Sequence, residues 1–170
     1  MKKKQAFRYR LNKTFDDVYN QFLTYAHSCT FADLSEEELL HELKKFLERA
    51  IAEFRFPHCS LDYTCVVSEP TEDNPQPEPV FVFTDEDFGQ REINVLVAYM
   101  KKYYLEWLLS REQNFQQLYY DTDTRTYSQG NLVQQLNTAY KTAIKEANDV
   151  NYDYSRMDST RRPQIGKVNV

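Results

Sequence analysis

Apolar residues recur at helical spacing in four stretches of the chain. In the first, Thr14 is placed to cap the helix, and Asp16 and Asp17 sit in the turn where acidic side chains favour the helix dipole. Phe15, Val18, Tyr19, Phe22 and Leu23 then fall on one face. The second stretch opens with Ser35 and Glu38 at capping-box spacing. Leu39, Leu43, Phe46, Leu47, Ala50 and Phe54 form its stripe, with Leu40 and Ile51 at the edge, and Pro57 marks the stop. The third stretch, residues 85–110, is the most apolar, with Thr84 or Asp85 as its expected cap. Ile93, Leu96, Val97, Met100, Tyr104, Trp107 and Leu108 follow a helical stripe, and Tyr99, Tyr103 and Leu105 widen it beyond one face. Such a helix is expected to be central, or to face a second chain as well as its own core. The fourth is marked by Leu132, Leu136, Ala139, Ala143 and Ala147, with Val133, Tyr140 and Ile144 alongside, and its pattern ends near Asn148.

The intervening segments have a different character. Pro70, Pro75, Pro77 and Pro79 cluster with Glu69, Glu72, Asp73 and Glu78, a density of proline that no helix survives. Two β-prone pieces, residues 63–67 and 80–83, flank this acidic loop at 68–79. They are expected either to pair as a hairpin or to lie as extended chain along the helices. A polar, tyrosine-rich stretch covers residues 113–130. Residues 151–170 have few aliphatics, several charges and Pro163, and read as a flexible C-terminal tail that orders on a partner. The expected fold is therefore all-α or mostly α: a bundle of about four helices with an extended or β-hairpin insertion between helices 2 and 3. The expected organisation is a helical domain at 1–150 and a docking tail at 151–170, whose deletion from residue 152 should leave the helices intact.

Composition narrows the function classes. The 170 residues include 41% hydrophobic side chains, enough for one ordinary core. Only three glycines are present, Gly89, Gly130 and Gly166, too few for a phosphate-cradling loop or a dinucleotide fingerprint. The net charge of -5 gives no general attraction to nucleic acid. Lys101, Lys102, Tyr103 and Tyr104 are the nearest approach to a basic, aromatic stripe, and their lysine stems are better placed to flank a core. Three cysteines, Cys29, Cys59 and Cys65, form no framework and suggest reduced thiols. No apolar run has the length of a membrane span. The basic residues Lys2, Lys3 and Lys4 are followed by Gln5, Arg8, Arg10 and Asn12 where a signal peptide needs an apolar segment.

Candidate chemistry is sparse. His27, Cys29, His58, Cys59 and Cys65 are metal-ligand types, but only His27 and Cys29 lie close, and not at zinc-finger spacing. Neither Cys59 nor Cys65 sits in a nucleophile signature. Asp121 and Asp123 lack the glycine and distal glutamate of a calcium loop. No catalytic residue, cofactor or metal is assigned. What stands out instead is an aromatic content of 15%, with 13 Tyr and 11 Phe against one Trp. Aromatic side chains supply large contact area at low entropic cost and are enriched at protein interfaces.

The third stretch also carries a family resemblance. Glu92-Ile93-Asn94-Val95-Leu96-Val97-Ala98-Tyr99-Met100, followed by Glu106-Trp107-Leu108, resembles the central helix of neck, or head-tail connector, proteins of tailed bacteriophages. Residues 17–22 resemble the opening helix of that family, residues 50–57 the end of its second helix, and residues 123–132 the turn into its last helix. Gly130 and Val133 depart from the usual form of that turn. The similarity spans residues 14–147. It implies a structural subunit of a ring, expected to be twelvefold, that joins the portal at the capsid vertex to the tail and extends the DNA channel. The implied partners are further copies of the chain, the portal, tail or other neck proteins, and genomic DNA passing without sequence-specific binding. The implied location is the virion neck, after synthesis in the host bacterial cytoplasm, with no membrane contact. An acidic subunit would repel phosphate and let DNA slide. On this reading Tyr152, Tyr154, Arg156, Arg161, Arg162 and Lys167 are docking candidates toward the portal or a neighbour. Tyr99, Tyr103, Tyr104 and Trp107 are candidates for subunit or core packing. The competing readings are an intracellular helical adaptor that binds a partner protein, and an enzyme with an unfamiliar site.

Overall fold

The computed structural model describes residues 12–26, 31, 33–67, 79–119 and 126–157. Among these, four helices and one hairpin follow in the order α1 (Phe15–Leu23), α2 (Glu36–Glu53), β1 (Tyr63–Val67), β2 (Pro79–Phe83), α3 (Gln90–Tyr119) and α4 (Thr126–Met157).

The first two helices start as their sequences dictate. Thr14 Oγ1 accepts the Asp17 N–H, and Asp17 Oδ2 accepts the Thr14 N–H at 2.8 Å. Ser35 and Glu38 make the same reciprocal pair, with the Ser35 N–H donating to Glu38 Oε2 at 2.9 Å. Hydrogen bonds from Ser35 hold the Glu38 carboxyl below its ordinary range. Ser35→Ala is expected to lower stability by about 1 kcal/mol in urea unfolding. An unchanged midpoint would show that the cap does not matter.

Residues 63–67 and 79–83 pair antiparallel, with Tyr63 opposite Phe83 and Val67 opposite Pro79. Of the two arrangements open from sequence, the hairpin is therefore the one adopted. Its inner end is fixed from three sides. The Thr84 N–H donates to Asp62 O at 2.9 Å, the Phe83 N–H donates to Lys13 O at 3.0 Å, and Asn12 Nδ2 donates to Phe83 O at 2.9 Å. Thr14 forms an isolated bridge to Val82. The Phe15 ring closes the join, with its centroid 4.7 Å from Tyr63, 5.2 Å from Phe81 and 5.3 Å from Phe83.

The core lies around the first half of α3. Ile93, Val95, Leu96, Val97, Tyr99, Met100, Tyr103 and Tyr104 are all buried there. Facing them are Phe15, Val18, Tyr19 and Phe22 of α1, and Leu43, Phe46, Leu47 and Ala50 of α2. Together these form one continuous hydrophobic cluster. The helix begins at Gln90, five residues after the expected cap at Asp85. Asp85 is occupied otherwise: its carboxylate accepts the Asp87 N–H at 2.9 Å and the Ser60 N–H at 2.7 Å. Those two bonds hold its carboxyl below the usual range. The true start is at Gly89, whose N–H donates to Glu92 Oε2 at 2.9 Å and whose carbonyl accepts the Ile93 N–H.

Both long helices also run further than the hydrophobic pattern indicates. At 30 and 32 residues, α3 and α4 span about 45 and 48 Å. The extension of α4 corrects the expected boundary at residue 150. Its buried positions are Ala143, Ala147, Asn151 and Tyr154, spaced 4, 4 and 3 apart. An asparagine and a tyrosine continue the stripe where aliphatic residues stop, so the pattern fades before the helix does. Residues 152–157 thus belong to the helical body, and the expectation that deletion from residue 152 spares the helices is withdrawn. No helix of the described residues is long and apolar enough to cross a membrane.

Candidate protein interaction surfaces

The predicted packing residues act mainly inside the chain. Tyr99, Tyr103 and Tyr104 are buried, while Trp107 is half-buried and packs against the core. The Tyr104 ring lies edge-on to Phe22 at 5.8 Å and tilted against Phe31 at 5.4 Å. Trp107 meets Phe31 at 6.0 Å and Phe46 at 6.2 Å. The Tyr103 hydroxyl donates to Glu53, and burial followed by that bond pushes its pKa well above the ordinary tyrosine value. Lys102 Nζ binds the same Glu53 carboxylate at 2.6 Å. Burial opposes ionisation of Glu53, but the hydrogen bonds from Lys102 and Tyr103 outweigh it, and its carboxyl titrates low. Arg49 lies 3.9 Å from the Tyr103 ring centroid and pairs with Glu106 at 2.7 Å. This seam joins α2 to α3 through charges that satisfy one another.

The predicted docking residues divide. Tyr152 is 60% exposed, and the Arg156 guanidinium lies 5.4 Å from its ring centroid. Tyr154, by contrast, is buried and cannot reach a partner. Its hydroxyl donates to Glu92 Oε1 at 2.7 Å and accepts the His58 N–H at 3.0 Å. Its ring meets Phe54 edge-on at 5.2 Å and His58 at 4.6 Å. Three segments therefore converge on one hydroxyl: the end of α4, the start of α3, and the link from α2 to β1. Burial, reinforced by the Glu92 carboxylate, raises the Tyr154 pKa well above its usual value. Arg161, Arg162 and Lys167 lie outside the described residues, as do His27, Cys29, Asp121, Asp123 and Lys2 to Lys4.

Among the described residues, no group of three or more His, Cys, Asp or Glu side chains is arranged to hold a metal ion. Cys59 is half-buried and Cys65 exposed, both as free thiols. Burial, then the charges of Glu92, Asp85 and Asp87, push the Cys59 thiol up to about 12. Because the thiolate is the reactive form, maleimide at neutral pH is expected to label Cys65 at least about tenfold faster than Cys59. Equal rates on peptide mapping would show that Cys59 is open to solvent.

Two surface features have no clear signature in the sequence. The first is an open groove of about 760 Å³ between the end of α1, the middle of α3 and α4. Phe22, Ala26, Tyr104, Leu105, Ala139 and Ala143 give it apolar walls, and Gln134, Gln135, Thr138 and Thr142 a polar rim. Lys101 and Glu146 face it from α3 and α4, with the Lys101 ammonium held 3.4 Å from the Tyr25 ring centroid. The small side chains of α4 open this groove, and only the alanine spacing hinted at it. The second feature is Phe56, which is 77% exposed and has a φ of 59°. A bulky residue in that left-handed region is a genuine outlier.

Comparison with protein-family models, curated proteins and solved structures gives no match. Among the described residues, the large side chains form a core around α3, and an open groove runs between α1, α3 and α4.

Proposed function

We propose that this chain is a structural subunit of a tailed-phage neck ring, joining the portal at the capsid vertex to the tail and extending the DNA channel. The observation that carries the proposal is the Glu92–Leu108 segment. The residues that resemble the family's central helix form the element on which α1, α2 and α4 all pack. A motif made of packing residues constrains a fold in just this way, through the neighbours each side chain must meet.

Other features agree with the role. A cyclic ring needs two different surfaces on each subunit that bind each other. The groove beside α4 offers one such surface. The net charge of -5 suits a wall along which DNA slides without being gripped. The role is structural and calls for no catalytic residue or cofactor. Its partners are further copies of the chain, the portal, and tail or other neck proteins.

The proposal is tested in virions. Purified particles of the source phage are expected to contain the chain, and antibody labelling is expected to mark the portal vertex. A chain that is abundant in infected cells but missing from purified virions would instead fit an intracellular adaptor.

A further inference from the structure

The groove and Phe56 sit apart on the molecule. Phe56 follows the end of α2 and lies two residues before His58, whose N–H is bound by Tyr154 near the end of α4. The groove lines α4 from Gln134 to Glu146. Glu146, at the near end of the groove, and Tyr154 are about 12 Å apart along the helix. The chain therefore carries a projecting aromatic at one place and an apolar recess at another.

Phe56 is costly in isolation. Phe56 is held at φ 59° and precedes Pro57, which further disfavours compact backbone angles at the residue before it. Strain of this kind persists where a site requires it. Here it projects a large apolar ring into solvent, where the ring gains nothing from burial. The groove in turn leaves part of Leu105 and Ala139 half-covered over a floor of buried Phe22 and Tyr104.

We infer that Phe56 of one copy inserts into the groove between α1, α3 and α4 of the next copy. The groove volume of about 760 Å³ accommodates a phenyl ring together with the adjoining Pro57. The groove offers the partly covered Leu105 and Ala139 for close apolar contact, with the edge of Tyr104 beneath them. Charge complementarity selects the same occupant. Arg55, next to Phe56, is exposed, and Glu146 presents an exposed carboxylate at the groove rim. Lys101, which also lines the groove, is turned onto Tyr25. A projection on one surface that fits a recess on another gives a heterologous contact, which closes into a ring or runs on as a filament. This contact deepens the neck-ring reading and rests on it.

Native mass spectrometry and sedimentation velocity of the full chain, over a concentration series, test the inference. Wild type is expected to self-associate. Phe56→Ala should weaken association at least about tenfold, as loss of a central aromatic anchor does, with the helical circular dichroism unchanged. Phe56→Gly should also stay monomeric yet melt at a higher temperature than wild type, because glycine tolerates the positive φ. Ala139→Trp, which fills the groove, should block association from the other side. A mixture of Phe56→Ala and Ala139→Trp retains one competent contact and should stop at a heterodimer. Arg55→Glu should weaken association and Arg55→Glu with Glu146→Arg should restore it. Assembly of Phe56→Ala to the same extent as wild type would overturn this contact and leave the ring itself standing on another. Wild type that stays monomeric at every concentration would also overturn the contact, while the ring reading is judged separately by its presence at the portal vertex.

Discussion

Tyr154→Ala is expected to destabilise the protein by about 3–5 kcal/mol, the range for removing a large buried aromatic. The ring sits between Phe54 and His58, so its loss opens a cavity between α4 and the end of α2. The hydroxyl carries a second effect. Without it, the buried Glu92 carboxylate loses one of its two described hydrogen bonds and keeps the Gly89 N–H. The His58 N–H loses its acceptor as well. Tyr154→Phe isolates this polar part and is expected to cost about 1–3 kcal/mol, the penalty for stranding a buried polar partner. Urea unfolding followed by circular dichroism separates the two. A Tyr154→Ala change of under about 1 kcal/mol would mean that the end of α4 is not anchored here. Truncation after Val150 removes both Asn151 and Tyr154, the buried residues beyond that point among those described, and is expected to cost at least as much as the point substitution.

The second large effect is expected at Phe22. Its side chain is fully buried and lies edge-on to Phe46 at 6.3 Å and to Tyr104 at 5.8 Å. Phe22→Ala is expected to cost about 3–5 kcal/mol, as the rings around it cannot collapse into the space. Phe22→Leu keeps most of the volume and should cost less than half as much. The comparison is informative because Phe22 is also part of the groove wall. A Phe22→Leu protein that folds well but assembles poorly would tie the groove to self-association. Equal stability of Phe22→Ala and wild type would show that α1 contributes little to the core.

Much of the fold was legible wherever a local rule acted alone. Thr14 and Ser35 announce their helices because a cap is chosen by residues three apart. The stripe from Leu43 to Ala50 is legible because a half-buried helix repeats its pattern every turn. The hairpin is not legible in sequence, because it depends on Phe15, which is remote from both strands and fills the space against Tyr63 and Phe81. The end of α4 is hidden in the sequence because Asn151 and Tyr154 are polar by type yet buried by position. Tyr154 meets its partners His58 and Glu92 across 96 and 62 residues of sequence, a separation no spacing rule reaches. The candidate site was less legible still. The groove is assembled from three helices, and its depth comes from alanines, whose importance lies in what they leave empty. Phe56 gave only an apolar residue before a proline, and its positive φ is a property of the folded chain. The wide apolar face of α3 resolves mainly into core: Tyr99, Tyr103 and Tyr104 are used within the subunit, which shifts the proposed contact surface from α3 toward α4 and the end of α2.

The proposed role requires this chain to join copies of itself beneath a portal. Native mass spectrometry of the full chain, alone and mixed with purified portal from the same phage, tests it most directly. The expected result is a discrete complex in which one closed ring of identical subunits is added to each portal. A chain that remains monomeric and never shifts the mass of the portal particle would contradict it.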